Sequence, residues 1–383
     1  MKTPLAWLQL IRERTKLLIA LTGIGFADML IFVQLGFQSA LFDANLRLPR
    51  SLKADIVLLS TESESILFLD SFSRRSLYQA LALKEVASVS PLYVDIAMWK
   101  NPIEGNTRQI MVIGLNPQEF VLDLPGLDRP NRRLIQLTDV VLFDDKSRKE
   151  FGPIAKLYRK GDRVTAEIGG HRVRIGGLFT FGASFTADGN IVTSDLNFRR
   201  LFPERNPGLI DVGLISLKPK ADLETAISHL EQKLPENIRV LSKEEFAELE
   251  KNYWQEYTAI GFIFALGTTI GFIVGTVIVA QIFYTSITEN LPEYATLKAI
   301  GYFDRYFIVL ILQKAVILAL LGYIPGFAIS SVVYVFAAGA TNLPLAMTLE
   351  RAITVLILTI IMCCTSGTIA LRKLAQADPA DIY

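Results

Sequence analysis

The chain has 383 residues, of which 51% are hydrophobic, and a mean hydropathy of +0.36, a composition that points to a membrane protein. Its 39 basic and 38 acidic residues leave a net charge of +1, which excludes a polybasic nucleic-acid binder and an acidic tail. The two cysteines, Cys363 and Cys364, are neighbours in an apolar run and read as packing thiols, so the remainder of the chain has neither a disulfide framework nor a zinc site.

At the N-terminus, Pro4 to Ile11 carries Trp7, Leu8 and Ile11 on one side, with Arg12, Arg14 and Lys16 following. That pattern reads as a helix in the inner headgroup layer, over residues 1–16, or as the start of the first span. Leu17 to Phe42 then meets the roughly 20 apolar residues needed to cross a hydrocarbon core. Its apolar stretch is too long for a cleavable signal, and no small-residue cleavage site follows. The basic residues ahead of it place the N-terminus in the cytosol.

Residues 43–257 alternate short apolar and polar runs between Gly, Pro and Asp turns, the pattern of a folded α+β domain outside the membrane. Two stretches read alike as β-α-β: Ala54–Leu59, Arg74–Leu83, Val89–Ala97, and then Asp211–Leu217, Asp222–Leu234, Asn237–Leu241. They predict one α+β subdomain from 43–114 and 206–242. Residues 115–205 between them predict a mostly β subdomain, with a hairpin turning at Gly169-Gly170 and Val164, Ala166 and Ile168 on one face. His171 and His229 have no second ligand at metal spacing and read as solvated residues. Ser242 and Glu245 form a capping-box pair at the start of a stalk helix over 243–257. That helix is expected to run unbroken into the second span, a rod about 70 Å long, with Tyr253, Trp254 and Tyr257 as an aromatic belt at the membrane surface.

The second span, 258–288, carries Gly267, Gly271 and Gly275, four apart on one helix face, a close-packing device in lipid. Its partner is either the first span or a second copy of the chain. Residues 289–305 follow on the cytosolic side. Within them Pro292 suits a first helical turn, Glu293 and Lys298 suit the two ends of the helix dipole, and Gly301 is a C-terminal stop. A two-turn helix here is either an ordinary connection or a handle on which a motor protein pushes. The third span, 306–340, is interrupted at Gly322–Gly326, and the fourth runs from Ala352 to Leu371 between Arg351 and Arg372. Residues 372–383 are then a cytosolic tail. Asp28 and Lys314 lie at similar depth inside the first and third spans and are expected to form an intramembrane ion pair, with a proton or substrate site as the alternative.

No P-loop, His-Glu-x-x-His or Gly-x-Ser-x-Gly occurs, so the chain is expected to be non-catalytic, with no metal or cofactor of its own. Any energy source must sit on a partner.

One N-terminal span, a large external domain, three C-terminal spans and the segment Glu293-Tyr-Ala-Thr-Leu-Lys-Ala-Ile-Gly301 resemble the permease subunits of the MacB/FtsX superfamily of ABC transporters. The closing Ala377-Asp-Pro-Ala-Asp381 resembles that superfamily's tail, and Gly25 to Gln38 in the first span resembles the cyanobacterial DevC branch. The resemblance implies a homodimeric, multi-pass inner-membrane permease with both termini cytoplasmic. It implies mechanotransmission from a DevA-like cytosolic ABC ATPase that binds ATP and Mg on its own chain. MacB itself carries its ATPase on the same chain, whereas this sequence starts at the membrane. Further implied partners are an HlyD-type, DevB-like membrane-fusion protein, a TolC-like outer-membrane channel and membrane lipid, with a glycolipid as cargo of the tripartite efflux system. The handle would be Pro292 to Ile300, stopped by Gly301, with Leu297 filling an apolar cleft on the ATPase and Glu293 and Lys298 setting register. An FtsX-like signalling protein controlling cell-wall hydrolases and a LolC/LolE-like lipoprotein extractor share the topology and are the alternatives.

Overall fold

The computed structural model describes residues 5–12, 14–184, 187–341 and 343–375. It divides into two compact units, one made of the membrane-length helices and the other essentially of residues 41–258. Pro4 and the Ala377–Asp381 tail lie outside the described residues.

Among the described residues, four helices are long and apolar enough to cross a membrane: Arg14–Asn45, Ala259–Glu289, Arg305–Thr341 and Leu349–Leu371. The third runs through Pro325 without interruption, contrary to the break expected at Gly322–Gly326. The missing Pro325 amide is tolerated because the neighbouring span packs against this segment. A Cβ on Gly25 would lie 3.3 Å from Pro325 Cγ, and one on Gly322 would lie 2.7 Å from Ile24 Cβ. The glycine face of the second span packs within the chain. Gly271 opposes Leu30 and Ile31, and a Cβ on Gly275 would approach Ala27 Cβ to 2.7 Å while meeting Met362 of the fourth span. Gly267 lies against Gln34. Within the chain, this face therefore packs on the first span and, at Gly275, also on the fourth. Cys363 is fully buried in the same helix bundle.

The second unit is built on eleven strands: β1 (Ile56–Ser60), β2 (Phe72–Ser73), β3 (Val86–Lys100), β4 (Thr107–Leu115), β5 (Val140–Asp144), β6 (Thr165–Ile168), β7 (His171–Phe179), β8 (Asn190–Ser194), β9 (Leu209–Ile210), β10 (Val212–Leu217) and β11 (Ile238–Ser242). Nine form one sheet in the order β11-β1-β10-β3-β4-β8-β5-β7-β6, and β6 returns to β3 through Trp99↔Ile168 and Lys100↔Glu167. The strands from β3 to β6 thus close into a barrel. β3 is 15 residues long, and its first half pairs with β10 while its second half pairs with β4. The expected boundary at residue 115 is therefore corrected. β3 and β4 are barrel strands, because one long twisted strand serves the open sheet at one end and the barrel at the other. The hairpin stands as expected, with Gly169 and Gly170 at φ of 53° and 84°.

In the open sheet β1 is buried along its whole length. Ile56 and Leu58 face one way, toward Leu77, Ala226 and Leu230 of helices Arg74–Gln79 and Leu223–Lys233. Val57 and Leu59 face the other way, toward Phe246 of the stalk helix Lys243–Glu256. Period-two alternation gives each face its own core.

The stalk begins with the capping box expected: Glu245 N–H donates to Ser242 Oγ at 3.1 Å and Ser242 N–H to Glu245 Oε2 at 2.7 Å. It does not continue as a single rod. The helix stops at Glu256 and the second span starts at Ala259. Thr258 Oγ1 donates at 2.7 Å to Trp254 O, the carbonyl that the Thr258 amide would take in an unbroken helix. Trp254 also departs from the expected belt. It is buried, and its Nε1–H donates to Glu250 Oε1 at 2.7 Å. The tryptophan is buried because Glu250 supplies an acceptor for its polar edge. Burial pushes the Glu250 carboxyl above the ordinary glutamate range, against the two hydrogen bonds it accepts from Ile66 and Trp254.

Candidate functional site

The segment between the second and third spans folds as the nine-residue helix Leu291–Ala299, with Pro292 in its first turn. Its end is a Schellman motif. Gly301, at φ of 105°, donates its N–H to Lys298 O at 3.0 Å, and Tyr302 N–H reaches Leu297 O at 3.2 Å. A side chain at 301 would be strained in this left-handed backbone, which is why glycine serves as the stop.

Two attachments fix the helix to the bundle. Tyr294 is buried, packs edge-on against Phe307 at 5.6 Å, and accepts a hydrogen bond from Lys314 Nζ at 3.2 Å. Glu293 accepts from Gln9 Nε2 and Arg12 Nη1, both at 3.3 Å, on the helix Leu5–Arg12. Beside them, Lys16 pairs with Glu289 at the end of the second span. The Arg12–Glu293 pair lies largely in water and contributes at most about 1 kcal/mol. The buried Tyr294 is the stronger anchor, since truncating a buried aromatic side chain costs about 3–5 kcal/mol.

The residues predicted to act as a handle are thus divided. Leu297 is half-buried and packs against the bundle core, so it does not project. Glu293 already meets the N-terminal helix. Pro292 and Lys298 are exposed. The apolar groups that do project are Ile300, 71% exposed, and Phe303, 84% exposed, with Tyr302 leaning on Tyr306 at 4.6 Å. Phe303 and the anchor Tyr294 were missed by sequence reasoning. A legible signal for Phe303 was its place just beyond the Gly301 stop, where the helix can no longer turn it toward the bundle.

Among the described residues Asp28 and Lys314 form no ion pair, which corrects the expectation. Asp28 is buried where it accepts from Thr359 Oγ1 at 2.7 Å, and its Cβ lies against Gly326. The first and third spans run parallel, Ile24 opposing Gly322 and Asp28 opposing Gly326. Lys314 is therefore about 18 Å below Asp28 at 1.5 Å per residue, and it shares a small cleft with Lys16. Counting from the two apolar starts failed because those starts are not level: in the register of Gly25 on Gly322 and Asp28 on Gly326, Lys314 comes beside Lys16. Sites this far apart with no shared partner are expected to be additive. A double-mutant cycle of Asp28→Asn and Lys314→Met, read as thermal stability in detergent, should show coupling below about 0.5 kcal/mol.

Residues 265–379 match the family model described as FtsX-like permease C-terminal. Among solved structures, the chain is similar to the periplasmic region of MacB from Actinobacillus actinomycetemcomitans, at 10% identity and a TM-score of 0.36, covering 53% of this chain and 94% of that one. It is also similar to the extracellular domain of YknZ, a noncanonic ABC-type transporter from Gram-positive bacteria, at 14% identity and a TM-score of 0.35, covering 49% and 98%. A domain of a putative permease protein from Porphyromonas gingivalis is similar at 10% identity and a TM-score of 0.30, covering 51% and 90%. No curated protein matches the chain.

Proposed function

We propose that this chain, which carries an FtsX-like permease C-terminal domain over residues 265–379, is the non-catalytic membrane subunit of an ABC exporter. In this reading a separate cytosolic ATPase, which binds ATP and Mg, drives movement of the 41–258 unit on the far side of an inner membrane. The observation that carries it is the short helix Leu291–Ala299, anchored by buried Tyr294 yet followed by the projecting Ile300 and Phe303. A connection with no partner has no need to expose two large apolar side chains beside charged, water-facing residues. An ATPase cleft that receives them would transmit its motion through Tyr294 to the third span and through Glu293 to the N-terminal helix.

The chain is taken to work as a homodimer, with its termini and this helix in the cytosol, in line with the basic residues before the first span. By its resemblance to the DevC branch, the proposed cargo is a glycolipid. That cargo would be handed to an HlyD-type fusion protein and a TolC-like channel.

Affinity purification of the full chain from its native membranes should retain an ATP-hydrolysing subunit. A cysteine placed by Lys298→Cys should react with a membrane-impermeant reagent only after the cells are permeabilised. Labelling of intact cells, or purification with no ATPase, would overturn the reading.

A further inference from the structure

The segment joining β1 to β2, residues 61–71, is a tightly built loop. Phe68 N–H donates to Ser65 O at 3.0 Å and Glu64 N–H to Phe68 O at 3.2 Å, while Asp70 N–H bonds Ser63 Oγ at 2.9 Å. Its centre is held by a buried carboxylate, since Ile66 N–H donates to Glu250 Oε2 at 2.8 Å, and Ile66 itself is buried. All this order presents one large apolar side chain outward: Phe68 is 53% exposed.

Phe68 does not stand alone. Its ring lies 6.0 Å from that of Tyr253, which stacks on Tyr257 at 6.3 Å and 15°. Tyr257 is 80% exposed and precedes by two residues the first residue of the second span, Ala259. Two residues of chain reach about 7 Å at most. The aromatic strip therefore begins two residues before the membrane-length helix Ala259–Glu289 and continues onto a loop distant in sequence. Tyrosine, and rings with one wet and one apolar side, collect at that depth of a bilayer. The charges nearest these rings in sequence, Glu64, Lys251 and Glu256, are not a polybasic set, so attraction to anionic lipid is not the driving force.

We propose that the 61–71 loop is a lipid-contacting foot, with Phe68, Tyr253 and Tyr257 bedded in the headgroup–acyl boundary of the leaflet that the second span enters. Glu250 and Trp254 set the foot's position from within the stalk, so its contact with lipid is a property of the folded unit. The foot does not depend on the ATPase reading: it holds for any role of this chain that keeps the second span in a membrane.

The test uses the full chain with Cys363→Ala and Cys364→Ala, reconstituted in phosphatidylcholine vesicles. Phe68→Cys and Ile103→Cys variants each carry a nitroxide, Ile103 being an exposed residue of the β3–β4 turn. The ratio of oxygen to nickel-chelate accessibility is expected to be several-fold higher at 68 than at 103. Equal ratios would overturn the proposal. So would shielding of position 68 from both reagents, which would mean that protein covers the loop. Should the Phe68→Cys chain fail to fold, Tyr257→Trp and Phe68→Trp fluorescence supplies the second reading. Brominated lipid is expected to quench the added emission at both positions, and failure to quench at 68 would sink the idea.

Discussion

Joint replacement of Ile300 and Phe303 by aspartate is expected to release the proposed ATPase partner from membranes while leaving the chain folded. Both side chains project from the bundle, so their loss removes little burial from the chain itself. An apolar anchor in a desolvated pocket of a partner contributes about 2–4 kcal/mol, and two such anchors amount to a loss of about a thousandfold or more in affinity. Leu297→Asp is a poorer experiment. Leu297 packs against the bundle core, and a charge there is expected to lower stability together with recruitment. Glu293→Ala removes half-exposed contacts to Gln9 and Arg12 and should weaken recruitment by tenfold at most. Sedimentation of the ATPase with membranes, read beside the thermal stability of the purified chain, separates these cases. If the Ile300/Phe303 double variant still recruits the ATPase, the projecting pair is not the handle.

What could be read in the sequence is what depends on neighbouring residues. Apolar length gave the four spans, and Pro292 with Gly301 bounded the short helix to within a residue or two. The spacing of Gly267, Gly271 and Gly275 gave a close contact, though not its partner. What failed depends on where one element lies against another. Asp28 and Lys314 look matched only when depth is counted from apolar boundaries, and the parallel register of two helices shifts one from the other by three turns. Trp254 looks like a surface aromatic until Glu250, one turn earlier, supplies its hydrogen-bond acceptor. Closure of the barrel depends on two β6 residues finding the far end of β3, a pairing that no local pattern announces. The break at Tyr257–Thr258 is intermediate: a threonine four residues after Trp254 could compete for its carbonyl, but that competition is common within helices that stay intact, as at Thr285 and Thr288.

Asp144→Ala is expected to be among the most damaging single substitutions in the 41–258 unit. Asp144 ends β5, is fully buried, and accepts four hydrogen bonds. Lys146 N–H and Phe181 N–H donate to Oδ1 at 3.0 and 2.9 Å, and Gly182 N–H and Asn190 Nδ2 donate to Oδ2, both at 2.8 Å. Burial pushes its carboxyl upward from the ordinary aspartate range, and the four donors oppose that shift. The same turn is tied from outside by Arg47, whose Nη1 donates to Phe181 O at 2.6 Å. Truncation would leave three buried donors, on Phe181, Gly182 and Asn190, without this acceptor, each costing about 1–3 kcal/mol where water cannot reach, while the Lys146 N–H can turn to water. Even with partial relaxation, the loss should be about 4 kcal/mol, a large share of the 5–15 kcal/mol that typically separates folded from unfolded domains. Asp144→Asn keeps one acceptor oxygen but turns an amide N–H₂ toward two donors, so it should lose roughly half as much. Because a chain with two units need not unfold in one step, amide hydrogen exchange is the appropriate measurement. Exchange should accelerate at Phe181, Gly182 and the β5–β8 pairing, leaving the spans unchanged. Wild-type protection at those amides in Asp144→Ala would mean that water replaces the carboxylate at little cost, and that the turn is held by Arg47 instead.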